Sequence, residues 1–314
     1  MTHHKIFCTV LACCLWVFSQ IVLAQSVAIT IDDGPQLNDT PLLTPSQRNK
    51  ALLDALAKHG AKATLFVTVN NGANRPEGLA LARAWGEAGH TLGNHTITHL
   101  NLHNEKVTLQ QYQQEILDCD ALIRQLPGYQ KWFRFTYLRE GNTPEKRDGM
   151  RAFLKEQGYR NAYVTLDTSD WRLNQKLVEM LQRDINADIT PIKRAYLSHV
   201  WQRAEAYRDL SRRLQGRDIP QVLLLHHNLI NALWLDDVLM MLTQKGWTFT
   251  TPVAAFSDPV YQLQPELSVS GQSLLIAMAR SLGLWNQQGN KVDGWARLID
   301  DGEYEINQLK TVGF

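Results

Sequence analysis

Cysteine is nearly absent from the part of the chain that can fold into a domain. The 314 residues include four cysteines, and Cys8, Cys13 and Cys14 lie in an apolar N-terminal stretch. Beyond that stretch only Cys119 remains, so the rest of the chain can form no internal disulfide and offers no pair of thiolates to a metal. Cys119 falls in a helical pattern and is expected to be a small buried apolar group.

A strong excess of charge of either sign is also missing. Lysine and arginine together number 32 and acidic residues 31, which gives a net charge of +1 with histidine neutral. This balance gives no electrostatic reason to expect a nucleic acid or an anionic membrane as a partner. The chain also lacks internal repeats and low-complexity stretches before residue 258. Its length and ordinary composition indicate one large globular domain or two small ones.

The N-terminus has the pattern of a targeting segment. Lys5 precedes an almost wholly apolar run from Ile6 to Leu23, and Val22-Leu23-Ala24 supplies small residues for cleavage. Residues 1–24 are therefore predicted to be a secretory signal peptide that is cut after Ala24. An uncleaved anchor is the alternative, because the run is close to membrane-spanning length. Cleavage would leave no stable membrane insertion and would place the protein in the periplasm or outside the cell.

Short apolar runs alternate with longer helical patterns from Ser26 to about Thr251. The strand-like runs are Val27–Ile31, Ala63–Val69, His90–Gly93, Phe133–Tyr137, Asn161–Thr165, Val222–Leu225 and Trp247–Thr250. Strand-then-helix repetition predicts parallel strands with right-handed crossovers. About seven such units favour a closed or nearly closed α/β barrel over an open doubly wound sheet. The barrel is assigned to residues 26–258, and residues 259–314 to a C-terminal appendage packed on it, with one helix over Ser268–Gly283.

Reactive side chains follow four of these strands and lie within a fifth. They are Asp32 with Asp33, His95 with His99, Arg134 with Tyr137, Asp167 to Trp171, and His226. The carboxyl ends of parallel strands meet at one rim, where loops build a site. We therefore expect these groups to converge.

Asp32, Asp33, His95 and His99 are the strongest candidates for a metal site. Two adjacent carboxylates repel each other unless a cation or an arginine neutralises them, although Asp-Gly-Pro is also good chemistry for a solvated turn. The i, i+4 spacing would place both imidazoles on one side of a helical turn, although a pair of ordinary histidines is the alternative. One Asp and two His leave a position open for water, which is the catalytic arrangement for zinc. His103 continues the spacing and is expected at the surface.

These motifs, in this order, resemble the polysaccharide deacetylase (NodB-homology) family, carbohydrate esterase family 4. The resemblance covers roughly Val27 to Phe256. It rests on five segments: Thr30 to Pro35, His95 to His99, Arg134 to Tyr137, Asp167 to Trp171, and Leu223 to His226. Thr136 stands where the family's third motif has proline.

The resemblance implies a distorted (β/α)7 TIM-like barrel that holds Zn2+ or another divalent ion such as Co2+, Ni2+ or Mn2+. By position, the metal ligands would be Asp33, His95 and His99. The catalytic residues would be Asp32 as general base, His226 as general acid, Arg134 beside Asp32, and Asp170 beside His226. The substrate would be contacted by the backbone N–H of Tyr137, which helps to hold the oxyanion, and by Trp171 and Leu224, which line the acetyl pocket.

The implied activity is hydrolysis of N-acetyl groups on an acetylated amino-sugar polysaccharide or oligosaccharide, of peptidoglycan, chitin or exopolysaccharide type. One alternative is a glycan-binding protein without turnover, suggested by Thr136 and by the C-terminal appendage. The other is a small-molecule amidase or acetyl esterase. Two further positions carry expectations. His227 should point away from the site by strand alternation, and Arg139-Glu140 could pair internally or reach substrate.

Overall fold

The computed structural model describes residues 24–284, so the predicted signal segment up to residue 23 and the end of the predicted appendage lie outside the described residues. Within that range the chain forms one parallel sheet of seven strands with helices around it. The strands are β1 (Ser26–Gly34), β2 (Ala63–Val67), β3 (Thr91–Asn94), β4 (Tyr129–Phe133), β5 (Arg160–Asn161), β6 (Gln221–His226) and β7 (Thr248–Phe249).

The order of the strands bends the sheet toward a barrel. The neighbours run β5-β4-β3-β2-β1-β6, and β7 pairs with the start of β1. A parallel bridge between Leu166 and Leu223 then joins the chain just after β5 to β6. The two ends of the row are thereby connected, which confirms the predicted distorted (β/α)7 barrel class.

Helices lie in the crossovers between the strands and after β7. They are α1 (Pro45–Lys58), α2 (Pro76–Glu87), α3 (Leu109–Ile123), α4 (Pro144–Glu156), α5 (Asp170–Arg183), α6 (Thr190–Gln215), α7 (Leu229–Gln244), α8 (Pro252–Ala255) and α9 (Leu274–Ser281). None of those in residues 24–284 is both long and apolar enough to cross a bilayer.

Local sequence sets where β1 and α1 lie. Val27, Ile29 and Ile31 are 0% exposed, as expected for a parallel strand covered on both faces. In α1, the Thr44 side chain accepts from the N–H of Gln47, whose side chain accepts from the N–H of Thr44. This reciprocal capping box satisfies two backbone donors at the helix start. The carboxyl end of β1, which carries Asp32 and Asp33, therefore lies between a buried strand and a helix with a well-defined start.

The fourth strand differs from its prediction. It covers Tyr129–Phe133 rather than Phe133–Tyr137, and a 3-10 turn at Thr136–Leu138 replaces its predicted second half. Tyr137 and Leu138 have φ values of 56° and 52°, which a strand cannot contain. Phe133 and Phe135, whose apolar side chains suggested a strand, are buried, whereas Gln130 and Lys131 in the observed strand are exposed.

The segment after Asp258 packs on the barrel within the described range. The predicted helix over Ser268–Gly283 begins only at Leu274, after a cap by Ser273. Before it, the backbone around Ser270 forms an antiparallel bridge with Arg139. Gly271 has a φ of 79°, which a helix does not accept, and this explains the later start. Leu274 N–H then donates to the carbonyl of Val164 at 2.8 Å, next to the short β5.

Candidate active site

A cleft of about 510 Å³ lies at the carboxyl ends of the strands. Eight of the ten predicted site residues line it: Asp32, Asp33, His95, His99, Tyr137, Trp171, Leu224 and His226. The other two, Arg134 and Asp170, are at most 1% exposed and contact residues of the cleft from behind. The structure thus brings all ten predicted residues together.

Three side chains at one end of the cleft have the geometry of a metal site. The ligand atoms of Asp33, His95 and His99 all lie within 4.8 Å of one another. Asp33 Oδ1 is 3.2 Å from His99 Nε2 and 3.6 Å from His95 Nε2. Tetrahedral ligands of zinc lie roughly 3.3 Å apart, because each is about 2.0 to 2.2 Å from the ion. A single divalent ion that prefers nitrogen and oxygen ligands therefore fits these three residues.

The His95 ring is oriented for coordination by its second nitrogen. Its Nδ1 lies 2.8 Å from the carbonyl oxygen of Arg134, to which it can only donate. That tautomer leaves the lone pair of Nε2 directed at Asp33. Burial lowers the pKa of His95 to about 3, so the imidazole is neutral, which is the form that binds a metal.

The two histidines do not share a helical turn, so that part of the prediction was wrong. Residues 95–99 form an irregular loop in which Thr96 and His99 have φ values of 73° and 60°. The imidazoles meet through this sharp reversal of the backbone, with ring centroids 5.0 Å apart. The spacing identified the correct residues, but loop geometry brings them together.

Glu115 on α3 holds that loop and was not identified from the sequence. Its carboxylate accepts from the backbone N–H groups of Ile97 and Thr98, at 3.1 and 2.6 Å, and from the Thr98 hydroxyl at 2.9 Å. These bonds offset the cost of the left-handed backbone conformations at Thr96 and His99. No local pattern marks Glu115, because its partners lie 17 or 18 positions away.

Asp32 forms a buried ion pair beside the three ligands. It is 2% exposed, and Nη1 of Arg134 lies 3.2 Å from both of its oxygens. Asp32 Oδ2 is also 3.7 Å from His95 Nε2. Burial raises the pKa of Asp32, and the charge of Arg134 opposes this shift without cancelling it. The carboxylate is therefore a stronger base than an ordinary aspartate.

Asp170 and His226 form the second buried pair. Asp170 Oδ1 accepts from His226 Nδ1 at 2.7 Å, and Oδ2 accepts from the His226 N–H at 2.9 Å and from Asn231 at 2.6 Å. Burial alone would lower the pKa of His226, but Asp170 outweighs it and raises that pKa to about 10. Burial would raise the pKa of Asp170, yet His226 holds it below its usual value. The imidazole is thus cationic at neutral pH.

The loop that carries Tyr137 is fixed by other contacts than a proline. Tyr112, which is fully buried on α3, accepts a hydrogen bond from the backbone N–H of Thr136 at 3.2 Å. Its hydroxyl is also 2.8 Å from the Thr136 hydroxyl, which donates to the carbonyl of Leu100. Tyr137 packs edge-on against His99, with ring centroids 4.4 Å apart. Thr136 therefore has its own network, and the loop is not loose.

The remaining positions named from the sequence have distinct surroundings. Trp171 is 45% exposed at the cleft, whereas Leu224 is 5% exposed in its wall. His227 is buried and its Nε2 lies 3.0 Å from Asn49 Oδ1, away from the three ligands. His103, expected at the surface, is half-buried with Nε2 3.1 Å from the Ser270 hydroxyl, because the C-terminal segment covers it.

Comparisons with known proteins agree with this geometry. A sequence model described as polysaccharide deacetylase matches residues 21–162. The peptidoglycan-N-acetylglucosamine deacetylase of Bacillus cereus is 30% identical over 158 residues, which are 50% of each chain. The chitooligosaccharide deacetylase of Sinorhizobium fredii is 35% identical over 101 residues, or 32% of this chain and 40% of that protein. The chain is therefore similar to the polysaccharide deacetylase family over just under half of its length.

A solved structure supports the same fold. The polysaccharide deacetylase Bc1974 from Bacillus cereus superposes with a TM-score of 0.51 at 23% identity, over 72% of this chain and 91% of that one. The sequence matches are shorter. The chain spans about half of the length of the Bacillus cereus deacetylases that it matches, 50% of one and 53% of another.

Proposed function

We propose that the protein is an exported, metal-dependent deacetylase that hydrolyses N-acetyl groups on glycans containing N-acetylglucosamine. The observation that carries this proposal is the common reach of Asp33, His95 and His99 for one ion, in a cleft also lined by Asp32 and His226. Relatives named as peptidoglycan-N-acetylglucosamine and chitooligosaccharide deacetylases support the substrate class. The predicted signal segment supports export to the periplasm or beyond.

Water activation is assigned to Asp32. Its carboxylate is next to His95, and its raised pKa suits a group that takes a proton near neutral pH. Arg134 keeps the carboxylate oriented through two contacts of 3.2 Å. When bound, a divalent ion supplies Lewis acidity that polarises the amide carbonyl and acidifies water. Zinc suits the one-carboxylate, two-imidazole donor set, and cobalt, nickel or manganese could replace it.

Protonation of the leaving amine is assigned to His226. The leaving group of an amide departs as an amine only if it gains a proton, and an imidazolium can supply one. Asp170 holds His226 in the charged form and fixes its ring through Nδ1, so that Nε2 carries the proton to be given. Asp32 and His226 thus serve as base and acid for opposite proton transfers.

The oxyanion and the acetyl group are assigned to the remaining cleft residues. The backbone N–H of Tyr137 belongs to a 3-10 turn in which this residue has a left-handed φ of 56°, and preorganised backbone donors stabilise developing negative charge. Trp171 and Leu224 offer apolar surface for a methyl group. We assign these functions to a barrel domain over residues 26–258, with residues 259–314 as a C-terminal appendage.

Acetate release from N-acetylated chitooligosaccharides and peptidoglycan fragments tests the proposal. The metal-loaded protein should release acetate, and a chelator should stop the release until metal is restored. Asp33→Asn should lose both bound metal and activity. Asp32→Asn should retain the metal, measured by elemental analysis, and lose about 10²- to 10⁴-fold in rate. Asp188→Asn, at an exposed position, is the control. A metal-loaded protein that released no acetate from these glycans would refute the proposal.

A further inference from the structure

Arg139 lies on the wall of the catalytic cleft, two positions after Tyr137. The centre of its guanidinium is 5.9 Å from the centroid of the Tyr137 ring. Its Nε is beside Gly271, where a Cβ atom would come within 3.4 Å of it. Position 271 adds no side chain beside the half-buried Arg139.

The carboxylates near Arg139 already have other partners. Glu140 is turned into the interior, where it pairs with Arg151 at 2.7 Å and accepts from the Tyr163 hydroxyl at 2.8 Å. Asp33 is paired with the ligand histidines, as described above. Among residues 24–284, no carboxylate lies within ion-pair distance of Arg139. The two possibilities left open by the sequence are therefore divided: Glu140 pairs internally, and Arg139 faces the cleft.

The backbone of Arg139 is fixed independently of its side chain. Residues 138–140 form a short antiparallel ladder with residues 269–271, in which Glu140 N–H donates to Val269 at 3.0 Å and Gly271 N–H donates to Leu138 at 2.9 Å. The C-terminal segment thus holds the Cα of Arg139 in place. With the backbone already held, only the side-chain torsions of Arg139 have to be ordered when it binds a ligand.

Other groups beside Arg139 add positive rather than negative charge. Lys146 is anchored to the carbonyl oxygens of Leu102 and Asn104, both at 3.0 Å. Burial and, after it, the charges of Arg139 and Lys146 lower the pKa of His103 to about 4, so this imidazole is neutral. Arg139 itself has no ion-pair partner among residues 24–284, and an anionic ligand would supply one.

We propose that Arg139 binds a carboxylate carried by the glycan next to the acetamido group that is hydrolysed, so that acidic amino-sugar glycans are preferred over neutral ones. This inference rests on the proposed function. A planar guanidinium suits a carboxylate because two parallel N–H donors match its two oxygens. The carboxylate can belong to a lactyl ether on the neighbouring amino sugar or to a neighbouring uronic acid.

The test compares three substrates with the wild-type protein, Arg139→Met and Arg139→Lys. The substrates are a neutral N-acetylated chitooligosaccharide, a peptidoglycan glycan fragment with lactyl carboxylates, and an oligosaccharide in which N-acetylglucosamine alternates with glucuronate. Arg139→Met should lower the acidic-to-neutral ratio of kcat/KM by about tenfold to a hundredfold, since bonds between charged groups contribute roughly 1.5 to 3 kcal/mol. The loss should lie mainly in KM, and Arg139→Lys should recover part of it.

Control variants and a binding measurement separate this proposal from the activity. Arg213→Met removes a guanidinium paired with Asp209, outside the cleft, and should leave the ratio unchanged. The acidic substrate for which Arg139→Met lowers the acidic-to-neutral ratio of kcat/KM shows whether the bound carboxylate belongs to a lactyl ether or to a uronic acid. In an Asp32→Asn background, Arg139→Met should weaken binding of that acidic glycan and not of the neutral one, whether or not the parent enzyme turns over. Equal losses on all three substrates, or no loss on any, would overturn the proposal.

Discussion

The Asp170→Asn variant tests how the proposed general acid is kept protonated. In the folded protein the pKa of His226 is about 10, against an ordinary value of 6.5, and Asp170 is the largest favourable contribution. At 1.36 kcal/mol for each pH unit, this difference corresponds to about 5 kcal/mol of preference for the charged imidazole. Asparagine keeps the shape of the side chain and removes its charge, while the burial that opposes protonation remains.

We expect the pKa of His226 in this variant to return to about 6.5, the ordinary value for histidine. At a pH of about 8, the protonated fraction would then fall from nearly all to roughly 3%, a loss of about thirtyfold in kcat from this cause alone. At a pH of about 6, most of the imidazole would be protonated in both proteins, so the loss from this cause would shrink to less than about twofold. If the substitution also displaced the His226 ring, kcat would fall by an additional factor that does not change with pH.

The assay is the ratio of kcat for the variant to that for the wild type between pH 6 and 9, at saturating metal and substrate. The His226 resonance, followed by NMR, gives its pKa directly. Asn228→Ala is the matched control, because it removes a 3.0 Å hydrogen bond to Asp170 and leaves the charge in place. Its ratio to wild type should be independent of pH. A ratio that was equally flat for Asp170→Asn would refute the electrostatic argument.

Two further variants test the supports of the site. Glu115→Ala removes the acceptor for three hydrogen bonds of the loop between His95 and His99. It should weaken metal affinity by about tenfold in a competition titration. Glu105→Ala, at an exposed position, is the control and should leave the affinity unchanged. Tyr112→Phe leaves buried groups of Thr136 without their partner, at a cost of about 1 to 3 kcal/mol. It should lower kcat more than it changes KM, and a shift confined to the melting temperature would show that the contact is purely structural.

The sequence could predict the parts of the site that depend on local pattern. The apolar run in β1 fixed a buried strand, and Asp32 and Asp33 had to emerge at its carboxyl end. The same reasoning placed His226 at the end of β6. Strand periodicity depends on a few neighbouring residues, so it can be recognised without knowledge of the rest of the chain.

Prediction failed where distant residues set the backbone. The spacing of His95 and His99 indicated a helical turn, yet the chain there makes a loop because Glu115 on α3 holds it. Phe133 to Tyr137 looked like a strand, yet Tyr112 and the C-terminal segment hold a turn around Tyr137. Local propensity is a weak preference, and tertiary hydrogen bonds outweigh it.

The sequence by itself determined which reactive groups the protein has and which strand ends carry them, because both follow from short-range pattern. Only the tertiary structure decided their states. Asp32 acquires its buried partner from Arg134, 102 positions away, and His226 its charge from Asp170, 56 positions away. The tertiary structure also turns Glu140 inward and places Arg139 on the wall of the cleft. Burial and charge pairing are properties of neighbours in space, and the order of residues along a single chain does not specify them.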